Sequence, residues 1–199
     1  MIDLFEADDS QTELAPEERK GLKPAYVTYR DELNREEQGN VLKAEKWLFG
    51  RKRRFGAMDL IDQGFICQLH KRMYGDVWDW AGKFRQSDRN IGVDYYRIPQ
   101  EMRVFLDDAR YWLEHGTYAA DELAVRFHHR LVWIHPFPNG NGRLSRLMAD
   151  RLVVGMGEPR FTWGRAQLVD VGDTRTGYIK ALRQADGHDF HALLAFARS

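Results

Sequence analysis

At 199 residues the chain has room for one domain with a substantial core, or for a domain with a small appendage. Hydrophobic residues at 43% and aromatics at 13% exclude an intrinsically disordered chain. Thirty basic residues offset thirty acidic ones, so net charge gives no case for a membrane partner and argues against direct nucleic-acid binding. The single cysteine, Cys67, excludes an intrachain disulfide, and its apolar neighbours predict a buried hydrophobe rather than a nucleophile.

Residues 1–24 are polar and acidic with two prolines, and read as a partly ordered arm. They lack the basic-then-apolar pattern of a signal peptide. No segment approaches the ~20 apolar residues of a membrane span, so a cytoplasmic protein is expected. From Tyr26 to Lys52 the text is helical, with Val41, Leu42, Trp47 and Leu48 on an apolar side and Gly39-Asn40 interrupting its start. Leu60, Ile61, Phe65, Leu69 and Met73 predict one further helix ending at Gly75. "WDWAGKFRQSDRNIGVDYYRIPQ" changes texture and reads as a loop with a short hairpin around Arg89–Tyr96. Helical stripes then resume: Val104, Phe105, Ala109 and Trp112; Leu123, Phe127, Leu131 and Ile134; Leu144, Leu147, Met148 and Leu152. One or two more helices follow from Thr174. The expected fold is mainly α, six to eight helices with one small β-hairpin.

The densest chemistry lies in "IHPFPNGNGRLSR", Ile134–Arg146. Pro136 disfavours helix in the residue before it, so one helix ends near His135 and another begins near Gly142–Arg143. Between them, Asn139-Gly140-Asn141-Gly142 can adopt positive φ and aim successive backbone N–H groups at one point, an anion nest opening onto a helix N-terminus. Arg143 adds a planar cation suited to polyphosphate, and Arg146 follows on the same face. A neutral His135, with an ordinary pKa of ~6.5, could take a proton from an incoming hydroxyl. The parts suit attack of a hydroxyl on a nucleotide phosphate. The plainer reading is a Gly/Asn-rich turn with solvated arginines and a histidine at a helix end.

"HPFPNGNGRLSR" resembles the signature of the Fic (filamentation induced by cAMP) domain, His-x-Phe-x-Asp/Glu-Gly-Asn-Gly-Arg-x-x-Arg. "FHHRLVWIHPF" looks like the helix entering the Fic loop, and "WAGKFRQSDRNIGV" like the segment leading to the family's β-hairpin flap. Within the family the chain looks most like the branch called mobile mystery protein B, carried beside a helix-turn-helix protein. The resemblance implies a Fic domain over 55–199, preceded by an arm and helical extension over 1–54 that is a candidate inhibitory segment. It implies transfer of AMP from ATP, with Mg²⁺, to a Ser, Thr or Tyr hydroxyl of a protein target. His135 would be the base. Asn139, Gly140, Asn141 (through its side-chain amide), Gly142, Arg143 and Arg146 would hold the nucleotide, and Arg143 would also stabilise the leaving pyrophosphate. Flap residues Asn90, Ile91, Gly92 and Val93 would dock the target by strand addition. The helix-turn-helix protein or an antitoxin are the partners it implies, as does the role of toxin in such a pair; self-association is open.

Asn139 departs from the pattern, since the family places a carboxylate there to hold Mg²⁺. An amide oxygen without charge is expected to bind the metal weakly, leaving coordination to the phosphates. Altered transfer chemistry, or a nucleotide- and partner-binding module with little turnover, are the alternatives. The family's inhibitory glutamate has two imperfect matches, Glu32 in "TYRDEL" and the amide Gln38 in "NREEQGN", and Glu32 is preferred because only a carboxylate pairs strongly with Arg146. Adjacent His128 and His129 point to different faces of a helix and read as packing, not zinc ligation. The tryptophans at 78, 80, 112, 133 and 163 are expected to fill core and loop contacts, and "GRKRRFG" to be a solvated helix end.

Overall fold

The computed structural model describes residues 13–15, 19–50, 55–164 and 171–199. Most of the predicted N-terminal arm and of the basic run at 51–54 lie outside these. Among the described residues there are eight α-helices: α1 (Arg30–Leu48), α2 (Ala57–Leu60), α3 (Gln63–Tyr74), α4 (Ile98–Glu114), α5 (Ala120–Ile134), α6 (Asn141–Gly155), α7 (Val171–Asp186) and α8 (His191–Arg198). None is long and apolar enough to cross a membrane.

The pair α5–α6 forms the centre, with α4 against α5, α1 against α3, and α7 against α8. The predicted stripes of α5 and α6 are all buried. α1 adds Leu33, Val41, Ala44 and Leu48 to the same core, so the N-terminal extension packs as part of the bundle.

Three local expectations change. Gly39-Asn40 does not interrupt α1: the Asn40 amide donates to the Glu36 carbonyl at 3.2 Å, one turn earlier, inside a continuous helix. The single helix expected over Leu60–Met73 is two, because the Asp62 carboxylate accepts the Phe65 N–H at 2.8 Å and caps α3. On α4 the inward stripe is Ile98, Met102, Phe105, Leu106 and Ala109, while Val104 faces solvent.

The flap is also not a ladder. Residues 87–94 form a loop of bends without strand pairing. Its ends are tied instead by the Arg85 side chain, which donates to the carbonyls of Ser87 and Val93. One guanidinium thus replaces the cross-strand bonds a hairpin would make.

Candidate active site

α5 ends at Ile134, and His135 takes a left-handed conformation (φ 54, ψ 58) while its N–H still reaches the Leu131 carbonyl at 3.2 Å. The following proline excludes the helical alternative, and the chain turns sharply. Such a conformation in a non-glycine residue costs about 1–2 kcal/mol, so surrounding contacts must hold it. Phe137, fully buried, stacks on His70 of α3 with centroids 3.8 Å apart and planes at 9°. The Asn141 amide grips the Phe137 backbone at both ends, accepting its N–H and donating to its carbonyl, each at 2.9 Å. The Asn141 side chain, expected at the phosphates, thus holds the loop, and its backbone N–H stands at the entry of the next helix.

His70 holds the loop from below. Its Nδ1 accepts the Gly82 N–H at 2.9 Å, which leaves the proton on Nε2 to donate to the Asn139 carbonyl at 3.0 Å. Burial pushes its pKa down to about 4, with the Arg143 charge adding to the shift, so the ring is neutral near pH 7. Gly140 (φ 78) is a true glycine position: a Cβ there would lie 2.4–2.5 Å from the Tyr74 ring. At Gly142 a Cβ would meet only the Arg146 guanidinium, 3.8 Å away, so this backbone faces open space.

α6 therefore begins at the loop, and the Leu144 N–H to the Gly140 carbonyl at 3.0 Å is its first helical bond. The N–H groups before it have no acceptor within the helix and form its positive end. They border a cavity of about 280 Å³ lined by His135, the stretch 139–143 and Arg146. α7 closes it with Arg175, Tyr178 and Ile179. Three arginines and a helix N-terminus around one cavity suit it to an anion.

A carboxylate from α1 reaches into this cluster. Glu37 accepts Arg143 Nη2 at 2.7 Å and Trp78 Nε1 at 2.7 Å, and is 2% exposed. Glu32, the residue preferred from sequence, sits elsewhere: its carboxylate accepts the N–H groups of Thr28 (2.8 Å) and Tyr29 (3.1 Å) and caps α1.

Asn139 points its amide oxygen at the Gly140 N–H, 2.7 Å away. Among the described residues no cluster of three or more His, Cys, Asp or Glu side chains could hold a metal ion. The donors present thus do not make a protein Mg²⁺ site, because a hard cation seeks carboxylates and Asn139 offers only an amide oxygen already bonded.

On the other side of His135 lies a second cavity of about 760 Å³, formed by Asn90, Ile91, Gly92 and Val93 with Trp133, Ile179 and Leu182. Trp133 is the exception among the tryptophans, 39% exposed on this groove, whereas Trp78, Trp80, Trp112 and Trp163 pack in or against the core. His135, Gly142, Tyr178 and Ile179 line both cavities. Burial lowers the His135 pKa and the charges of Arg85 and Arg89 act in the same direction, while the nearby Val132 carbonyl opposes them. A neutral imidazole stands where the two spaces meet.

The structure places His135, Asn139, Gly140, Asn141, Gly142, Arg143 and Arg146 around one cavity, and the flap residues with His135 and Gly142 around the other. His70, Arg85, Glu37, Arg175 and Tyr178 were not anticipated from the sequence. The available signal was a polar residue on an otherwise apolar stripe, as His70 is among Ile66, Met73 and Tyr74. His128, fully buried, is bonded to the Tyr178 hydroxyl at 3.0 Å, and His129 to Asp186 at 2.9 Å, as packing predicts.

This helical frame, with its left-handed histidine and glycine-rich helix entry, is the Fic fold. Fic-1 from C. elegans (residues 134–508) superposes with a TM-score of 0.68 over 91% of this chain and 51% of that one, at 22% identity. The Bartonella tribocorum effector BepC with bound AMPPNP gives 0.64 over 90% and 95%, at 14% identity. In sequence, the chain is 30% identical over 135 residues to Protein adenylyltransferase Fic of Drosophila virilis, 66% of this chain and 26% of that protein. The Aedes aegypti protein of the same name is 31% identical over 105 residues, 51% and 21%. The chain spans about a quarter of the length of the curated relatives it matches. Residues 60–153 match the Fic/DOC family, and they constitute a Fic/DOC domain in this chain.

Proposed function

We propose that this protein transfers AMP from ATP to a Ser, Thr or Tyr hydroxyl of another protein. The observation that carries the reading is the placement of His135 between an arginine-lined anion cavity and an exposed groove bordered by the flap. A triphosphate in the cavity would meet the N–H groups opening α6, with Arg143 and Arg146 on its outer phosphates. A target segment in the groove would bring its hydroxyl to the imidazole. His135 takes the hydroxyl proton as the oxygen bonds to the α-phosphorus, and the bond to the bridging oxygen breaks to release pyrophosphate. The departing charge falls on the arginines and the helix N-terminus. No step is assigned to a protein-bound metal, and any Mg²⁺ would ride on the phosphates.

Glu37 holds Arg143, so we read it as a restraint on nucleotide binding that acts on the first arginine, where Glu32 was expected to act on Arg146. The resemblance to the mobile mystery protein B branch supports a toxin role beside a helix-turn-helix or antitoxin protein, in the cytoplasm. Growth arrest on expression, relieved by the partner, tests that role.

A second reading, a nucleotide-binding module with little turnover, is favoured by Asn139 alone. Incubation with α-labelled ATP, Mg²⁺ and lysate separates the two. Label on protein that is lost in His135→Ala supports the transferase. Tight ATP binding with no label supports the module. Label from γ-labelled ATP instead would indicate phosphoryl transfer.

A further inference from the structure

Arg85 lies outside the motif yet is one of the most enclosed side chains in the molecule, 1% exposed. A buried guanidinium is costly unless its donors are matched. Here three backbone carbonyls match them: Nε donates to His135 at 2.8 Å, Nη1 to Ser87 at 2.9 Å, and Nη2 to Val93. The nearest carboxylate, Asp88, is 3.8 Å away and largely solvated. The Arg85 N–H adds a bond to the Pro136 carbonyl at 2.9 Å.

These bonds have a consistent geometry. Ser87 and Val93 are the two ends of the flap, and His135 carries the imidazole. A single planar fork therefore fixes the width of the flap loop and its distance from the base. The backbones are also in contact: a Cβ on Gly92 (φ 94) would stand 2.5 Å from His135 Cβ and 3.0 Å from Arg85 Nη2. The Val93 N–H points to the Ile134 carbonyl at 3.4 Å. None of these Arg85 bonds reaches the nucleotide side, residues 139–143.

We propose that Arg85 is a positioning residue that registers the target-docking flap against His135, so that a hydroxyl presented by a docked segment arrives at the imidazole. This rests on the transferase reading above. Lysine at this position would keep the charge and much of the length. It would present a compact ammonium rather than a fork, and could not hold three carbonyls in one plane. Registration would loosen while the nucleotide cradle stayed intact.

The test is Arg85→Lys in the full chain, with Arg85→Gln as a second variant in case one fails to fold. ATP affinity by calorimetry should stay within about twofold of wild type, while label transfer to protein targets falls at least about tenfold, as displaced reacting groups would cause. Backbone amide exchange at Val93 and His135 should quicken. Transfer near the wild-type rate overturns the proposal. So does ATP affinity falling in step with transfer, which would mark Arg85 as general scaffold. If the wild-type protein itself transfers nothing, the transferase reading fails. The coupling is then judged on exchange alone, and unchanged protection at Val93 and His135 in Arg85→Lys overturns it.

Discussion

Glu37 and Arg143, 106 residues apart in the chain, meet in an ion pair of 2.7 Å in which the carboxylate is 2% exposed. Breaking a buried pair by removing one partner typically costs about 3–5 kcal/mol, because the other charge is left uncompensated. In this molecule the arginine that would lose Glu37 lines the anion cavity. Glu37→Gln, which can still accept the Trp78 N–H, should lower the melting temperature without ATP and bind ATP roughly tenfold more tightly, about 1.4 kcal/mol. Label transfer should rise with it. Calorimetry and a thermal shift titration with ATP check this, and unchanged ATP affinity would show that Glu37 is only structural.

His135 should set the acid limb of the rate profile. Its pKa lies below the usual histidine value, chiefly through burial, so the neutral base persists to lower pH than for a free imidazole. Transfer should be flat near neutrality and fall as pH drops below ~6.5 toward the lowered pKa. His135→Ala should abolish transfer while leaving ATP binding intact. A rate that climbs as pH falls below 6.5 would contradict the assigned role.

His70 gives a stability prediction with a definite sign. Its folded pKa of about 4 lies below the unfolded value of ~6.5, so between these values the unfolded chain binds more protons. Stability is therefore fully present above pH ~6.5 and is lost as pH falls toward 4, by about 3 kcal/mol from this residue alone. His70→Phe would keep the stack on Phe137 but orphan the Gly82 N–H and the Asn139 carbonyl, a loss of about 1–3 kcal/mol at pH 7. Denaturant unfolding from pH 7 to pH 4 should show a shallower slope for the variant. Equal slopes would sink the assignment.

Gly140 and Gly142 should fail differently. Gly140→Ala forces a Cβ into the Tyr74 ring and must hold a positive φ, so both melting temperature and ATP affinity should fall. Gly142→Ala is tolerated by the fold, but its methyl enters the space where phosphate would lie. It should weaken ATP binding with a melting temperature close to wild type. The pair of measurements separates cradle construction from cradle occupancy.

Asn139→Asp keeps an acceptor for the Gly140 N–H and adds a charge at the mouth of the cavity. Transfer should then saturate at lower Mg²⁺ concentration than in wild type, and a Mg²⁺ titration of initial rates reads this directly. An unchanged titration would place the metal entirely on the nucleotide.

Much of the site could be read along the chain because its features are local. Pro136 disfavours helix in the residue before it whatever lies around it, and Gly140 and Gly142 allow the backbone to turn into α6. Arginines three residues apart share a helix face by geometry alone. The core stripes of α5 and α6 were legible for the same reason, since a period of 3.6 residues is a property of the helix and not of its neighbours. The break at Asp62 was local too, but its capping bond was hidden inside an apolar pattern that continued across it.

The rest depended on which distant groups the fold brings together. The expected hairpin became a loop because a buried guanidinium from Arg85 took over its carbonyls. Asn141 turned its amide on Phe137 rather than outward because a sharp turn needed both ends of that peptide held. The carboxylate at the anion site came from Glu37 and not Glu32, since only Glu37 lies on the buried face of α1 with Leu33, Asn40 and Val41. Residue order determined the histidine, the glycines and the arginines, because a turn between two helices is built from neighbours. Tertiary structure alone decided what holds them in place, because a buried polar group finds its partner through packing, and periodicity says only that it is buried.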